Sequence, residues 1–191
     1  MSIKGNAENN VDELAKKCYG MMKNMYSKEY SEFLNFFYGI HVSSIESLES
    51  NYKSTSPEPF FILNLPIGES KTLEECFELY TKDEILDEDN SILNDETGEK
   101  EKARKYIKFW NLPNILVVTI KRFNSSLRKN KTFIDFPIYD LNLSKYIVGY
   151  NKESYVYDLY GICNHSGGTE GGHYTSFVKN RNGSWYLFND T

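Results

Sequence analysis

Cysteine is scarce in this sequence, and what there is lies scattered. Cys18, Cys76 and Cys163 are the only three in 191 residues, too few for a disulfide framework. Reduced thiols fit a cytoplasmic or nuclear location. No Cys-x-x-Cys pair occurs, which excludes a structural zinc site built from cysteine pairs. Basic charge is also short: 22 Lys and Arg face 27 Asp and Glu, a formal net charge of −5. That balance argues against nucleic acid as a partner, which would require a basic face. A basic protein or peptide remains compatible. No apolar run approaches the ~18 residues of a membrane span, and no charged-then-apolar leader opens the chain. Neither a membrane partner nor a signal peptide is expected. No internal repeat is present, and no cofactor is implied.

Aromatic residues are plentiful, with 15 Tyr and 12 Phe. They favour strands and large contact surfaces. Residues 1–10 are polar and read as frayed. From Val11 the pattern turns helical, with Leu14, Met21, Met22, Met25 and Tyr26 near three-and-four spacing. Phe33 to Tyr38 is a second apolar run, and Gly39 ends or bends it. Ile40 to Ile45 reads as a strand. Residues 46–59 end in Pro57 and Pro59 and read as a loop. Phe60 to Leu65 is a strong strand closed by Pro66. Thr72 with Glu75 spells a capping box for a helix carrying Leu73, Cys76, Phe77 and Tyr80 on one face. Residues 83–101 hold nine acidic side chains against Lys100, which predicts a solvated, mobile excursion.

Beyond Ala103 the chain is β-rich. Pro113 to Phe123 reads as a central buried strand. Asn124 to Lys131 is a basic, polar turn. Thr132 to Pro137 and Tyr146 to Tyr150 read as short strands, Asn151 to Ser154 as a turn, and three closing strands follow. The sum is an α+β arrangement with helices mainly N-terminal.

The chemistry concentrates in the closing stretch. A strand through Tyr160 and Cys163 enters a loop with two Gly-Gly pairs, Gly167-Gly168 and Gly171-Gly172. That loop delivers His173 onto the next strand. Only a short turn, Asn180 to Ser184, separates this strand from one ending in Asn189-Asp190, so the two should form a hairpin. Asn189 or Asp190 then comes beside His173 and can fix its tautomer, as a general base requires. The glycines clear side chains from a place where a substrate backbone must come close. The plainer reading is a Gly-rich hairpin with an edge histidine.

These residues resemble a known family. Tyr157 to Gly161, Asn164-His165-Ser166-Gly167-Gly168, Gly171-Gly172-His173-Tyr174-Thr175 and Trp185 to Thr191 are similar to the histidine box of the ubiquitin-specific proteases. Leu112 to Phe123, then Lys131 and Phe136-Pro137, resemble that family's central palm strand and the one after it. Glu58 to Ile67 and the helix at Leu73 to Tyr80 resemble the strand and helix between the two halves of its fingers. The resemblance covers roughly residues 36–191, in order.

It implies an antiparallel β-rich palm and fingers of a papain-like cysteine protease, with the thumb largely missing. Residues 1–35 would be a helical segment on the thumb side, about 36–110 the fingers and about 111–191 the palm. It further implies cysteine-type hydrolysis of the peptide or isopeptide bond at ubiquitin's C-terminal glycine, with ubiquitin or ubiquitinated proteins as partners. His173 would be the general base, Asn189 the third triad member and Asp190 its assisting neighbour. His165, Gly167, Gly168, Gly171 and Gly172 would form the loop along the substrate tail, and the acidic surface suits a basic tail.

Three departures stand out. The family's Asn-x-Cys-Tyr box at a helix start is missing, and no nucleophile is identified. Cys18 precedes Tyr19 and follows Lys16-Lys17, which could lower its pKa, but it sits inside a helical run. Cys76 and Cys163 read as structural. The finger positions that often carry zinc ligands, Ile45 to Ser50 and Ser91 to Asp95, hold none, so no zinc is expected and packing alone would hold the fingers. The chain stops at the triad, so a piece of a longer protease is expected. The alternative is a catalytically inactive ubiquitin-binding module or a truncated fragment.

Overall fold

The computed structural model describes residues 6–190. Residues 1–5, half of the polar N-terminal stretch, and Thr191, the end of the closing motif, lie outside that description. Two helices come first, α1 (Asn10–Lys28) and α2 (Glu32–Phe37), followed by β1 (Gly39–Ser47), β2 (Lys53–Phe60) and β3 (Ile62–Pro66). Helix α3 (Leu73–Thr81) precedes β4 (Glu84–Leu86), β5 (Ile92–Leu93), β6 (Lys100–Glu101), β7 (Ala103–Asn111) and β8 (Val117–Lys121). The rest is β9 (Leu141–Asn142), β10 (Val156–Tyr157), β11 (Gly161–Gly167), β12 (Gly172–Lys179) and β13 (Trp185–Asn189).

Helix α1 begins where the Asn9 side chain accepts from the Val11 and Asp12 N–H groups, satisfying two donors that have no partner inside the helix. Its apolar stripe seats Ala15 and Cys18 against Ile40, Val42 and Trp110. Helix α3 carries the expected capping box between Thr72 and Glu75. It buries Cys76 and Phe77 in the main core with Leu63, Leu65, Phe109 and Leu143, all fully enclosed. Strand β3 pairs with β8 in parallel, an exception to the antiparallel rule of the other sheets. A crossover containing α3 makes that geometry accessible.

Four strands form the largest sheet, in the order β2-β1-β7-β4. The expected loop over 46–59 is therefore corrected: its second half is a strand, with Pro57 and Pro59 inside it. Being two residues apart, the prolines turn their missing N–H groups toward the same side. On an edge strand that side needs no partner. The expected strand from Phe60 to Leu65 is also split, with exposed Phe61 as the corner between β2 and β3.

The acidic segment is corrected too. Rather than a mobile excursion, 83–101 contributes β4, β5 and β6 and two enclosed polar side chains, Asn94 and Glu101. The Glu101 carboxylate accepts from Ser47 Oγ at 2.5 Å, Ser50 Oγ at 2.7 Å and Asn94 Nδ2 at 2.7 Å. Those donors favour the charged form and hold its carboxyl below the usual range. The segment expected to form the fingers is thus not held by packing alone, because a charge-assisted clasp ties β1 and its turn to β6. Two hydroxyls, an amide and one carboxylate do not fit zinc, which prefers thiolate and imidazole. No group of metal-ligating side chains is found among the described residues. No described helix is long and apolar enough to cross a membrane.

Two further expected strands are absent among the described residues. Segment 132–137 is an extended connection bridged to Thr72 through Asp135. Segment 146–150 leaves a 3-10 turn at Ser144–Tyr146 and meets β7 through a single bridge, Ile147 to Phe109, with Val148 N–H donating to the Phe109 carbonyl and Tyr150 edge-on to Trp110.

Candidate active site

The closing three strands form a separate antiparallel sheet, β11-β12-β13. The turn between β12 and β13 is the short one expected. The Asn180 N–H donates to the Ser184 carbonyl, and Gly183 takes the left-handed φ of +85°. This turn sets Asn189 opposite Thr175. His173 lies two residues before Thr175, so it shares a face with Asn189 as a diagonal neighbour. The geometry follows: His173 Nε2 and Asn189 Oδ1 are 2.5 Å apart. With the amide oxygen as acceptor, Nε2 carries the proton and Nδ1 keeps its lone pair. Asp190 Oδ1 stands 3.5 Å from Nδ1 and is itself well exposed. Both side chains named by the sequence therefore meet the ring, Asn189 at one nitrogen and Asp190 near the other.

His165 occupies the opposite face. It pairs with Tyr174, whereas His173 pairs with Ser166. The His165 ring stacks on Tyr174 at 4.6 Å between centroids. Its Nδ1, its own carbonyl and that of Gly167 all meet the Lys129 ammonium, at 3.1, 2.7 and 3.3 Å. The glycines have defined reasons. Gly167 has a φ of +127°, and a Cβ there would fall 2.5 Å from the Gly171 carbonyl oxygen. A Cβ on Gly172 would lie 2.3 Å from His165 Nε2. The Gly168 N–H closes the hairpin onto the Gly171 carbonyl at 3.0 Å.

No cysteine joins His173. Cys18 is buried within α1, where loss of hydration pushes its thiol up to about 12 despite the opposing charge of Lys17. Lys17 itself turns away to the Thr55 hydroxyl at 2.7 Å. Cys76 is buried in the main core, and its thiol is likewise raised by burial. Cys163 is exposed but pairs with Ser176 on the face of the sheet away from His173. Lys129 was not singled out by sequence reasoning, and Tyr174 entered only as part of the motif around His173. The only trace of Lys129 was the basic character of its turn.

A histidine on a β-hairpin, with an Asn amide on one ring nitrogen and the other nitrogen clear of that amide, is an arrangement able to act as base and orienter in a thiol hydrolase. The family comparison points to the same class. Residues 6–191 match the model of the ubiquitin carboxyl-terminal hydrolase family, and the chain belongs to that family. Human ubiquitin carboxyl-terminal hydrolase 2 is 35% identical over 98% of this chain and 32% of its own length. Arabidopsis thaliana ubiquitin carboxyl-terminal hydrolase 9 is 40% identical over 76% of this chain and 17% of its own. The chain thus spans no more than about a third of these relatives. A structure of the yeast SAGA DUBm superposes with a TM-score of 0.74 at 31% identity, covering 95% of this chain and 40% of that one. The SAGA Ubp8/Sgf11/Sus1/Sgf73 DUB module bound to ubiquitin aldehyde superposes at 0.72 and 29%, over 96% and 44%.

Proposed function

We propose that this chain works in deubiquitination, supplying the base, its orienter and a ubiquitin-binding surface for cysteine-type hydrolysis at ubiquitin's C-terminal glycine. The observation that carries this reading is the His173–Asn189 contact at 2.5 Å with Nδ1 left unpaired by the amide. A thiol facing Nδ1, brought by residues outside these 191, completes the pair. Nδ1 takes the thiol proton as sulfur attacks the glycine carbonyl, then returns it to the leaving amine, and water releases the acyl group. Asn189 keeps the ring in the required tautomer throughout. The fingers, about 36–110, and the palm, about 111–191, hold the ubiquitin body. The loop of His165 and the four glycines lies along its tail, and the net negative charge steers a basic partner. The free cysteines suit a cytoplasmic or nuclear location.

Titration of isotope-labelled ubiquitin with this chain is the direct test, combined with a ubiquitin probe carrying a C-terminal electrophile. Saturable binding without covalent labelling fits the reading for the chain by itself. Labelling that vanishes in Cys18→Ala would instead make Cys18 the nucleophile. No binding at any concentration would overturn the proposal. Binding that persists while a longer, Cys-box-bearing form of the protein fails to hydrolyse ubiquitin would favour the inactive module.

A further inference from the structure

The contacts of Lys129 converge on the hairpin that carries His173. An ammonium has three N–H donors and no acceptor. All three have partners here: His165 carbonyl, Gly167 carbonyl and His165 Nδ1. Donation to Nδ1 requires its lone pair, so His165 is neutral with its proton on Nε2. That nitrogen lies over Gly172, the residue before His173 and the place where no side chain fits. Tyr174 closes the other side of the ring.

The turn that presents Lys129 is itself anchored. Arg122 Nη1 donates to the Thr132 carbonyl at 2.8 Å and to the Asn130 carbonyl at 3.2 Å. Phe123 bridges to Lys129, and the ammonium sits 5.7 Å from the Phe123 ring centre. A rigid path therefore runs from β8 through Arg122 to Lys129 and on to the mouth of the β11–β12 hairpin.

Register is what this path protects. A slip of one residue in a hairpin exchanges its faces. It would move His173 from the Asn189 side to the Tyr174 side. The mouth is where slippage starts, because glycines specify register weakly, and two cross-strand glycines, Gly167 and Gly172, pair there. We propose that Lys129 is a positioning residue for the site: it locks the His165 tautomer and the Gly167–Gly172 register, and so holds His173 in contact with Asn189. This inference rests on the deubiquitinase reading for its kinetic consequence but not for its structural one.

Ring-nitrogen NMR of the histidines in the 191-residue chain tests the clasp without substrate. The wild-type chain should show His165 with Nε2 protonated and Nδ1 bare. In Lys129→Met that tautomer is lost and the His173 ring signals broaden or shift, while Lys129→Arg restores both by donating to the two carbonyls and to His165 Nδ1. A wild-type His165 protonated on Nδ1 overturns the proposal even if Lys129→Met fails to fold. So do unchanged His173 signals in a folded Lys129→Met. In a longer form that hydrolyses ubiquitin, Lys129→Met should lower kcat by about tenfold or more with KM nearly unchanged. A KM change with kcat intact counts against positioning. Absence of turnover in the wild type would sink the functional reading alone, leaving the NMR arm to judge the clasp.

Discussion

Two regions of this molecule solve the problem of burial in opposite ways. The four-stranded sheet and the layer beneath it enclose Phe77, Phe109, Leu63 and Leu65 completely. From Val156 to Asp190 no residue is buried. The β11–β13 sheet exposes Tyr174, Tyr186 and Phe188 on one face and Phe177 and Leu187 on the other. Both faces of this sheet thus carry apolar side chains that would gain from cover. His173 and Asn189 therefore sit on a sheet held by hydrogen bonds, by Lys129 and by its own turns, with little core of its own.

The largest effect should come from breaking the buried side of that contrast. Phe77→Ala removes a ring stacked on Tyr146 at 5.7 Å and should cost about 3–5 kcal/mol, against a total of about 5–15 kcal/mol for a domain. Denaturant unfolding measures this. Leu187→Ser, on the uncovered sheet, should change stability by no more than about 0.5 kcal/mol and should lower the binding of a hydrophobic dye. Equal destabilisation by the two changes would erase the contrast.

Next in size is a change in function without one in stability. His173→Gln leaves every buried group untouched, so its unfolding midpoint should match the wild type. In a form competent for turnover the rate should fall by about 10²–10⁴-fold, the usual contribution of a general base. Asn189→Ala should fall less, because the ring loses its orientation and keeps its basicity. A larger loss for Asn189→Ala than for His173→Gln would contradict the roles assigned to them.

The same contrast governs how much the sequence reveals. Local signals were legible: the stripe of α1, the capping box at Thr72 and Glu75, and the placing of Asn189 beside His173 across a short turn. Each depends on neighbours a few residues apart. The polar clasp was not legible, since Glu101 meets Ser47 and Ser50 from 54 and 51 residues away. An acidic run looks solvated until its donors are known. Strand β2 was missed because proline reads as a break unless the strand is known to be an edge. Lys129 was missed because its turn meets His165 from 36 residues away. The family resemblance pointed to His173 but carried no trace of Lys129 against the same hairpin.

The clasp gives an intermediate effect. Asn94→Ala deprives the Glu101 carboxylate of one donor in an enclosed place, and an acceptor that loses its partner without regaining water is destabilising. Thermal unfolding should move down by a few degrees. Hydrogen exchange should rise in β5 and β6 and stay unchanged in β11 to β13. Faster exchange spread evenly over both regions would show that the two are one cooperative unit.

The smallest effect sits on the outer face of the four-stranded sheet. Glu46 in β1 pairs across the ladder with Lys53 in β2 and Arg104 in β7. It accepts from Lys53, from Arg104 at 2.6 Å and from Tyr106 at 2.9 Å. The hydrogen bond from Lys53, then that from Arg104, lowers its carboxyl from an ordinary 4.5 to about 2. A carboxyl whose folded value lies below its unfolded one stabilises the fold above the unfolded value. This contribution is therefore complete above about pH 4.5 and is lost as pH falls toward about 2. Lys53 and Arg104 are 55% and 44% exposed, so solvent screening limits it to about 1 kcal/mol. Glu46→Gln should unfold slightly more easily at pH 7, and its stability should fall less steeply than the wild type's between those two values. Parallel acid-unfolding curves would mean that the ladder contributes nothing and that this sheet depends on its core and clasp alone.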